Sequence, residues 1–225
     1  MRNPPAVLIY DWDNTLVDGW AGVAAALNAA FAAFALPPWT ADQTKRRVRE
    51  SLRESFPKIF GAEWQRARDL FYAALAAQHL DHVTPMPGAI DALAAGSYLP
   101  QAVVSNKTGQ FLRAEVAHLG WASHFRAVVG AGDASADKPD PAPILLALEK
   151  MGSAPGPNVW YLGDTALDMQ TARAAGITAA LVGDAEHDGG AEHAAPDIHF
   201  AGAHELAAAL RDYAASSSSA GPKNS

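Results

Sequence analysis

Two pairs of aspartates each follow a short apolar run. Val-Leu-Ile-Tyr leads directly into Asp11, and Asp13 stands two positions on. Val-Trp-Tyr-Leu-Gly leads into Asp164, and Asp168 stands four positions later. Residues two apart in an extended segment project to the same side, and residues four apart share a helix face. In the first pair, Asp11 and Asp13, one carboxylate can attack an electrophile while the other transfers the proton of the leaving group.

The same aspartates favour a metal site. If all four converge at one sheet edge, their charges repel one another unless a cation lies among them. Oxygen ligands with room for water suit Mg²⁺. The pattern therefore predicts Mg²⁺ as a cofactor. The alternative for the first pair is a plain turn, and for the second pair a helix N-cap followed by an acidic residue in the first helical turn.

Two further polar stretches supply groups that suit phosphate. A Val-Val pair leads into Ser105, Asn106 and Lys107, where a hydroxyl and backbone N–H groups can hold phosphate oxygens. Lys138 precedes Pro139, whose ring favours an extended lysine, so the ammonium can reach a phosphoryl oxygen or a nucleophilic carboxylate. Taken singly, each stretch is also compatible with an ordinary surface turn.

Short apolar runs alternate with helical patterns along the chain. This alternation predicts an α/β fold with a parallel sheet covered on both faces. The expected strands are Val7 to Tyr10, Ala102 to Val104, Ala127 to Val129, Val159 to Leu162, Ala179 to Val182 and Ile198 to Phe200. The expected helices between them are Ala89 to Ala95, Gln110 to Leu119, Ala142 to Met151, Ala166 to Ala175 and Ala203 to Tyr213.

One interval breaks the alternation. Asp11 and Ser105 are 94 positions apart, whereas a βαβ unit needs about 30 residues. The interval predicts inserted helices over 20–36, 41–56 and 62–80, separated by Pro37-Pro38 and by Pro57. We therefore expect a core of residues 1–17 and 86–215, a helical cap of residues 18–85, and a flexible serine-rich tail of residues 216–225.

The composition excludes several classes of function. The 225-residue chain has a net charge of −7 and a pI near 5.5, which is too acidic for general nucleic-acid binding. It has no cysteine, so a thiolate metal site and a cysteine nucleophile are excluded. We expect neither a membrane span nor a secretory leader, and a cytoplasmic location. The sequence does not determine the oligomeric state.

Four motifs in a fixed order resemble a known family. They are D-W-D-N-T at 11–15, S-N-K at 105–107, K-P at 138–139 and G-D-T-A-L-D at 163–168. The chain resembles the haloacid-dehalogenase-like hydrolase superfamily from residue 6 to about 210, and looks most like phosphoglycolate phosphatases. It departs from the family at Asn14, where many members have Gly, and at Ser105, which replaces a common Thr. Asn tolerates left-handed dihedrals and Ser keeps the hydroxyl, so the chemistry is unaffected.

The resemblance implies a fold and an activity. The fold is a Rossmann-like core with a helical cap inserted after the first strand. The activity is that of a Mg²⁺-dependent phosphatase acting on a small phosphorylated metabolite. Asp11 would be the nucleophile that forms an aspartyl-phosphate, and Asp13 would protonate the leaving oxygen and then activate water. Ser105 and Asn106 would hold the phosphoryl group, and Lys138 would offset its charge.

The resemblance also implies a ligand set for Mg²⁺. The ligands would be the Asp11 carboxylate, the Asp13 backbone carbonyl and the Asp164 carboxylate. Asp168 would contact the ion through water or lie in its outer shell.

Further binding candidates come from the motifs and from the cap. Thr15 and Lys107 are expected to contact phosphate or substrate. In the cap, Arg46, Arg49 and Arg53 fall on one helical face, where the first two are candidates for a second anionic group of the substrate. A solvated helix surface is the alternative for that face.

Two other functions are also compatible with the sequence. One is a sugar-phosphate mutase or other phosphotransferase on the same scaffold, and another is a non-enzymatic phospho-acceptor module like a response regulator. Dehalogenation is disfavoured because a metal-binding acidic cluster has no role in displacing halide. We expect His187 and His193 at the surface rather than at a metal.

Overall fold

The computed structural model describes residues 4–48 and 52–219. The chain forms two compact units. The first unit joins Met1–Val17 to Pro85–Ser225, and the second is the continuous segment Asp18–Thr84. We call the first unit the core and the second the cap.

A six-stranded parallel sheet forms the centre of the core. The strands of the described residues are β1 (Val7–Tyr10), β2 (Val17–Asp18), β3 (Thr84–Pro85), β4 (Gln101–Thr108), β5 (Ala127–Ala131), β6 (Val159–Gly163), β7 (Thr178–Val182) and β8 (Ile198–Phe200). The core sheet has the order β5-β4-β1-β6-β7-β8, with parallel neighbours throughout. The predicted α/β fold with a parallel sheet is confirmed. β2 and β3 form a separate two-stranded sheet.

Helices cover the core and build the cap. The cap helices are α1 (Trp20–Ala33), α2 (Ala41–Arg47), α3 (Leu52–Phe60) and α4 (Trp64–His82). The core helices are α5 (Ala89–Ala95), α6 (Gly109–His118), α7 (Ala142–Lys150), α8 (Ala166–Ala174), α9 (Gly190–Ala194) and α10 (Ala203–Ser219). No helix in the described ranges combines the length and apolar character that a bilayer span requires.

The central strand β1 is buried along its whole length. Its side chains alternate between the two faces of the sheet. Val7 and Ile9 belong to an apolar cluster that also contains Ile144 of α7. Each such side chain stabilises the fold by about 1.5–3 kcal/mol through burial. On the β6 strand, Trp160 contacts Tyr213 of α10, with ring centroids 5.6 Å apart. The sheet is therefore held between helices.

The cap has an aromatic interior of its own. Phe56 and Phe60 of α3 are buried with Phe31 and Phe71, and the Phe56 and Phe60 rings lie 5.0 Å apart. The prediction of one helix over 41–56 that ends at Pro57 is wrong. α2 ends at Arg47, and Pro57 lies inside α3. Burial of the two phenylalanines offsets the roughly 3 kcal/mol that an interior proline costs a helix.

The last helix runs further than the sequence pattern indicates. α10 reaches Ser219, so residues 216–219 of the predicted flexible tail are helical. Ser216 Oγ donates to the Asp212 carbonyl at 2.8 Å, a local bond that is compatible with helix. Residues 220–225 lie outside the described part of the chain.

Candidate active site

The site lies at the point of the sheet where the strand order reverses. β1 stands between β4 and β6, and ligands of open parallel sheets bind outside the carboxyl ends of strands at such a point. Asp11 follows β1, Ser105 lies in β4, and Asp164 follows β6. The Asp11 backbone N–H donates to the Leu162 carbonyl at 2.8 Å, which continues the β1–β6 pairing up to the site.

A tight turn after β1, over residues 12–17, carries Asp13. The Trp12 carbonyl accepts hydrogen bonds from the Leu16 and Val17 N–H groups at 2.9 and 3.1 Å. Asn14 has a φ of 61°, in the left-handed region that Asn tolerates. The Trp12 side chain, between the two aspartates, is buried. Asp11 is buried, whereas the Asp13 side chain is 33% exposed.

The Lys138 ammonium joins three side chains in the interior of the site. Its Nζ lies 2.8 Å from Asp11 Oδ1, 2.7 Å from Asp168 Oδ1 and 3.1 Å from the Tyr161 hydroxyl. Tyr161 in turn donates to the Val104 carbonyl at 2.8 Å. Burial alone would lower the pKa of Lys138, but Asp11 and Asp168 outweigh burial and hold that pKa well above its usual value. Lys138 is therefore a fixed positive charge on Asp11.

Asn106, in the β4 motif, binds the backbone of Lys138 with its side chain. Asn106 Nδ2 donates to the Lys138 carbonyl at 3.0 Å, and the Lys138 N–H donates to Asn106 Oδ1 at 2.9 Å. Ser105 is buried, and its Oγ accepts a hydrogen bond from the Lys107 N–H at 3.2 Å. The β4–β5 pairing shifts register between Val104 and Thr108, and such irregularities commonly re-aim side chains near active sites.

Asp168 is occupied by donors from the protein. Its Oδ2 accepts hydrogen bonds from the Asp164 N–H at 3.2 Å, the Thr165 N–H at 3.1 Å and the Thr165 hydroxyl at 2.6 Å. Thr165 and Asp168 form the capping box of α8. A Cβ on Gly163 would lie 2.5 Å from the Asp168 side chain, so glycine is required there. The Asp168 carboxylate therefore binds both the Lys138 ammonium and the N-terminus of α8.

Asp164 keeps one oxygen without a hydrogen bond. Its Oδ1 accepts from Thr15 Oγ1 at 3.1 Å. Its Oδ2 is buried and accepts no hydrogen bond within the described residues, although His187 Nε2 lies 3.1 Å away. His187 is only 13% exposed, so its predicted surface position is wrong. A short 3-10 turn at Glu186–Asp188 places it, because Asp188 Oδ2 accepts a hydrogen bond from the Ala166 N–H of α8.

Three carboxylates form a buried acidic triad. One oxygen of each of Asp11, Asp164 and Asp168 lies within 4.8 Å of the other two. Burial, opposed by Lys138 and reinforced by the neighbouring carboxylates, raises the pKa of Asp11 to about 7. Burial also raises the pKa of Asp164. Lys138 therefore does not balance the triad, and three buried carboxylates, with an Asp164 oxygen that accepts no hydrogen bond within the described residues, fit a hard divalent cation.

Asp13 is held by a second lysine. Lys107 Nζ lies 2.8 Å from Asp13 Oδ1 and 2.6 Å from Glu115 Oε2. Burial would lower the pKa of Lys107, but Asp13 and Glu115 outweigh it and raise that pKa. The structure thus places the predicted phosphate ligand Lys107 between two carboxylates.

The cap arginines are only partly described. Arg46 is exposed on α2, and the guanidinium of its neighbour Arg47 lies 4.7 Å from the centroid of the Trp39 ring. Arg49 and the side chain of Arg53 lie outside the described part of the chain. Substrate binding by Arg46 and Arg49 stays a prediction.

Comparison with known proteins identifies the family. The model of the haloacid dehalogenase-like hydrolases matches residues 8–182, a range that holds all four motifs. The chain belongs to this family. It is 30% identical over 185 residues to the phosphoglycolate phosphatase of Chromobacterium violaceum, covering 77% of the chain and 83% of that relative. The corresponding enzyme of Pectobacterium atrosepticum is 31% identical over 179 residues, covering 75% of the chain and 76% of that relative.

Solved structures of the haloacid dehalogenase-like family share the fold. A haloacid dehalogenase-like protein from Streptococcus pneumoniae superimposes with a TM-score of 0.78 at 22% identity, covering 92% of the chain and 98% of that protein. The predicted family resemblance and the prediction of an enzyme, a hydrolase, are confirmed.

Sequence reasoning missed three residues of this haloacid dehalogenase-like site. Glu115 carries a usable signal, because an acid between Leu112 and Val116 on the buried face of α6 needs a partner. Tyr161 carries a weaker one, as a hydroxyl inside a buried strand. His187 carries no local signal, since only the tertiary path of its loop brings it to Asp164.

Proposed function

We propose that this hydrolase is a Mg²⁺-dependent phosphatase that acts on a small phosphorylated metabolite, phosphoglycolate-like, through an aspartyl-phosphate. The observation that carries the proposal is the Asp11 carboxylate, which stands at the carboxyl end of β1 with the Lys138 ammonium on Oδ1 at 2.8 Å. The names of the relatives from C. violaceum and P. atrosepticum support phosphoglycolate as the type of substrate.

Asp11 is the nucleophile in this proposal. Lys138 fixes one carboxylate oxygen, so the other is free to form a bond to phosphorus as the bond to the ester oxygen breaks. Lys138 also offsets negative charge on the phosphoryl group. Ser105 contributes its hydroxyl hydrogen to a phosphoryl oxygen, since its Oγ accepts from the backbone. Asn106 acts mainly by holding Lys138, and it can offer its own N–H to the phosphoryl group.

Asp13 is the acid and base. Its carboxyl is partly exposed, unlike that of Asp11, so it can reach both the leaving group and water. It gives a proton to the ester oxygen as the alcohol leaves. It then takes a proton from the water that attacks the aspartyl-phosphate, which returns Asp11 to its starting form.

Asp11, Asp13 and Asp164 are proposed to hold Mg²⁺. The carboxylates of Asp11 and Asp164 and the backbone carbonyl of Asp13 are the ligands, and Thr15 orients Asp164 through its 3.1 Å hydrogen bond. Asp168 lies in the outer shell, because its oxygens already accept from Lys138 and from the α8 cap. When bound, Mg²⁺ polarises the phosphoryl oxygens and neutralises their charge.

A substrate panel tests the proposal. Wild-type protein and Asp11→Asn are assayed for phosphate release from phosphoglycolate, sugar phosphates, nucleotides and pyridoxal phosphate, with Mg²⁺ and with chelator. We expect Mg²⁺-dependent release by the wild type and loss of nearly all of it in Asp11→Asn. Asp212→Asn, on the exposed side of α10, is the matched control.

The same panel separates the alternatives. Substantial turnover by a folded Asp11→Asn protein contradicts the nucleophile assignment. Transfer of phosphate to a second sugar in place of water indicates a phosphotransferase. A long-lived phosphorylated Asp11 without turnover indicates a phospho-acceptor module.

A further inference from the structure

A buried carboxylate on α6 lies behind the proposed acid and base. Glu115 is 1% exposed, and its Oε2 accepts two hydrogen bonds: from the Trp12 indole N–H at 2.6 Å and from Lys107 Nζ at 2.6 Å. The indole and the lysine ammonium can only donate, and this one carboxylate oxygen accepts from both. Glu115 therefore ties helix α6 to the turn that carries Asp13.

The link continues to Asp13 itself. Lys107 Nζ lies 2.8 Å from Asp13 Oδ1, so a continuous hydrogen-bonded chain runs from Trp12 through Glu115 and Lys107 to Asp13. Trp12 is itself packed edge to face against Trp121, with ring centroids 5.8 Å apart. This series of hydrogen bonds starts at Trp12, which Trp121 holds in place, and ends at Asp13, whose side chain is 33% exposed.

A network of this kind calls for a reason beyond stability. Burying a carboxylate is expensive, and well-packed apolar residues in place of a buried ion pair are often equally stable or more stable. Lysine has a long flexible stem, so without Glu115 its ammonium would sample several positions beside Asp13. With Glu115 in place, one oxygen of Asp13 is held while the other stays available.

We propose that Glu115 is a positioning residue that acts through Lys107 to orient the Asp13 carboxyl towards the leaving-group oxygen. The inference rests on the proposed function, in which Asp13 gives its proton to that oxygen as the bond from oxygen to phosphorus breaks. The oriented oxygen of Asp13 carries the proton, and the alcohol leaves neutral. In this proposal the Lys107 ammonium binds and orients Asp13 and does not bind the phosphoryl group.

Leaving-group dependence separates this role from a structural one. An alkoxide leaving group needs a proton as it departs, whereas p-nitrophenolate leaves readily without one. We compare kcat/KM for p-nitrophenyl phosphate with that for the alkyl phosphate which the wild type hydrolyses fastest. For Glu115→Gln we expect a loss of about 10- to 100-fold on the alkyl ester and less than about 3-fold on the aryl ester. Glu149→Gln, exposed on α7, is the control.

A double variant tests whether Glu115 acts through Lys107. Lys107→Met removes the same hydrogen bond to Asp13 and should show the same selective loss on the alkyl ester. If the inference holds, adding Glu115→Gln to Lys107→Met lowers kcat/KM little further, because both changes remove one interaction. If Glu115→Gln alone does not fold, the pattern in Lys107→Met decides.

Four outcomes overturn the inference in distinguishable ways. If the wild type is active and Glu115→Gln loses kcat/KM equally on both esters, Glu115 has a structural role. If Glu115→Gln loses kcat/KM on neither ester, Glu115 has no role in the reaction. Independent, multiplicative losses in the double variant contradict an action through Lys107. A folded wild type that releases phosphate from neither ester overturns the proposed function, and with it the role of Asp13 used here.

Discussion

Replacement of Lys138 by methionine removes the ammonium that Asp11 and Asp168 share. Both carboxylates are buried, and Nζ lies within 2.8 Å of each. Breaking a buried ion pair by removing one partner typically destabilises a protein by about 3–5 kcal/mol. Uptake of a proton limits the loss, because Asp11 already has a pKa raised to about 7 by burial, and the loss of Lys138 raises it further.

The destabilisation should therefore grow with pH. Above about pH 7 the wild type has released the Asp11 proton, whereas folded Lys138→Met, with a higher Asp11 pKa, still holds it, so the stability of the variant falls relative to the wild type as pH rises. We expect a loss near 3 kcal/mol at pH 6 that grows by at most about 1.4 kcal/mol by pH 8, because a single proton changes stability by about 1.4 kcal/mol per pH unit. At roughly 2–4 °C per kcal/mol for a chain of this size, Tm should fall by about 6–18 °C.

Urea denaturation with chelator at several pH values measures this effect. Lys150→Met, in the exposed last turn of α7, is the matched control and should change stability by less than about 1 kcal/mol. Added Mg²⁺ should restore part of the loss in Lys138→Met. A Lys138→Met protein as stable as the control at pH 8, or a loss that does not grow with pH, would refute the electrostatic account of the site.

Three further predictions concern the metal, the α8 cap and the tyrosine behind the lysine. Mg²⁺ affinity should rise as pH rises towards 7, with proton release, because Asp11 must lose the proton that its raised pKa retains; calorimetry in two buffers of different ionisation enthalpy measures both. Thr165→Ala should cost about 1 kcal/mol in urea denaturation and also lower kcat, whereas Thr40→Ala, which removes the capping box of α2, should cost similar stability with kcat unchanged. Tyr161→Phe should lose about 1–2 kcal/mol and several-fold in kcat, because its hydroxyl contacts Lys138 at 3.1 Å; an unchanged kcat would separate that contact from catalysis.

The positions of the main carboxylates could be predicted because they follow from local patterns. A buried parallel strand is a short apolar run, and the carboxyl ends of parallel strands meet at one edge of the sheet. The sequence therefore predicts that Asp11 and Asp164 come together, and the structure brings their oxygens within 4.8 Å. The sequence predicts that Lys138 reaches either a phosphoryl oxygen or the nucleophilic carboxylate, and in the structure Lys138 contacts Asp11.

The remaining contacts depend on tertiary packing that no local pattern contains. Lys107 looks like a phosphate ligand from its motif, and only the burial of Glu115 on α6 explains why its ammonium binds carboxylates. His187 reaches Asp164 because the loop after β7 folds back over the start of α8. Pro57 predicts a helix end, but the packing of aromatic side chains in the cap keeps α3 continuous.

Chemical trapping of the intermediate tests the central claim most directly. The protein is mixed with Mg²⁺ and a phosphate monoester labelled on phosphorus, quenched in acid during turnover, digested and mapped by mass spectrometry. The account predicts a phosphorylated peptide in which Asp11 carries the label, formed and consumed at rates compatible with kcat, and none from Asp11→Asn. Turnover without a labelled Asp11, or a label on another residue that survives in Asp11→Asn, would contradict it.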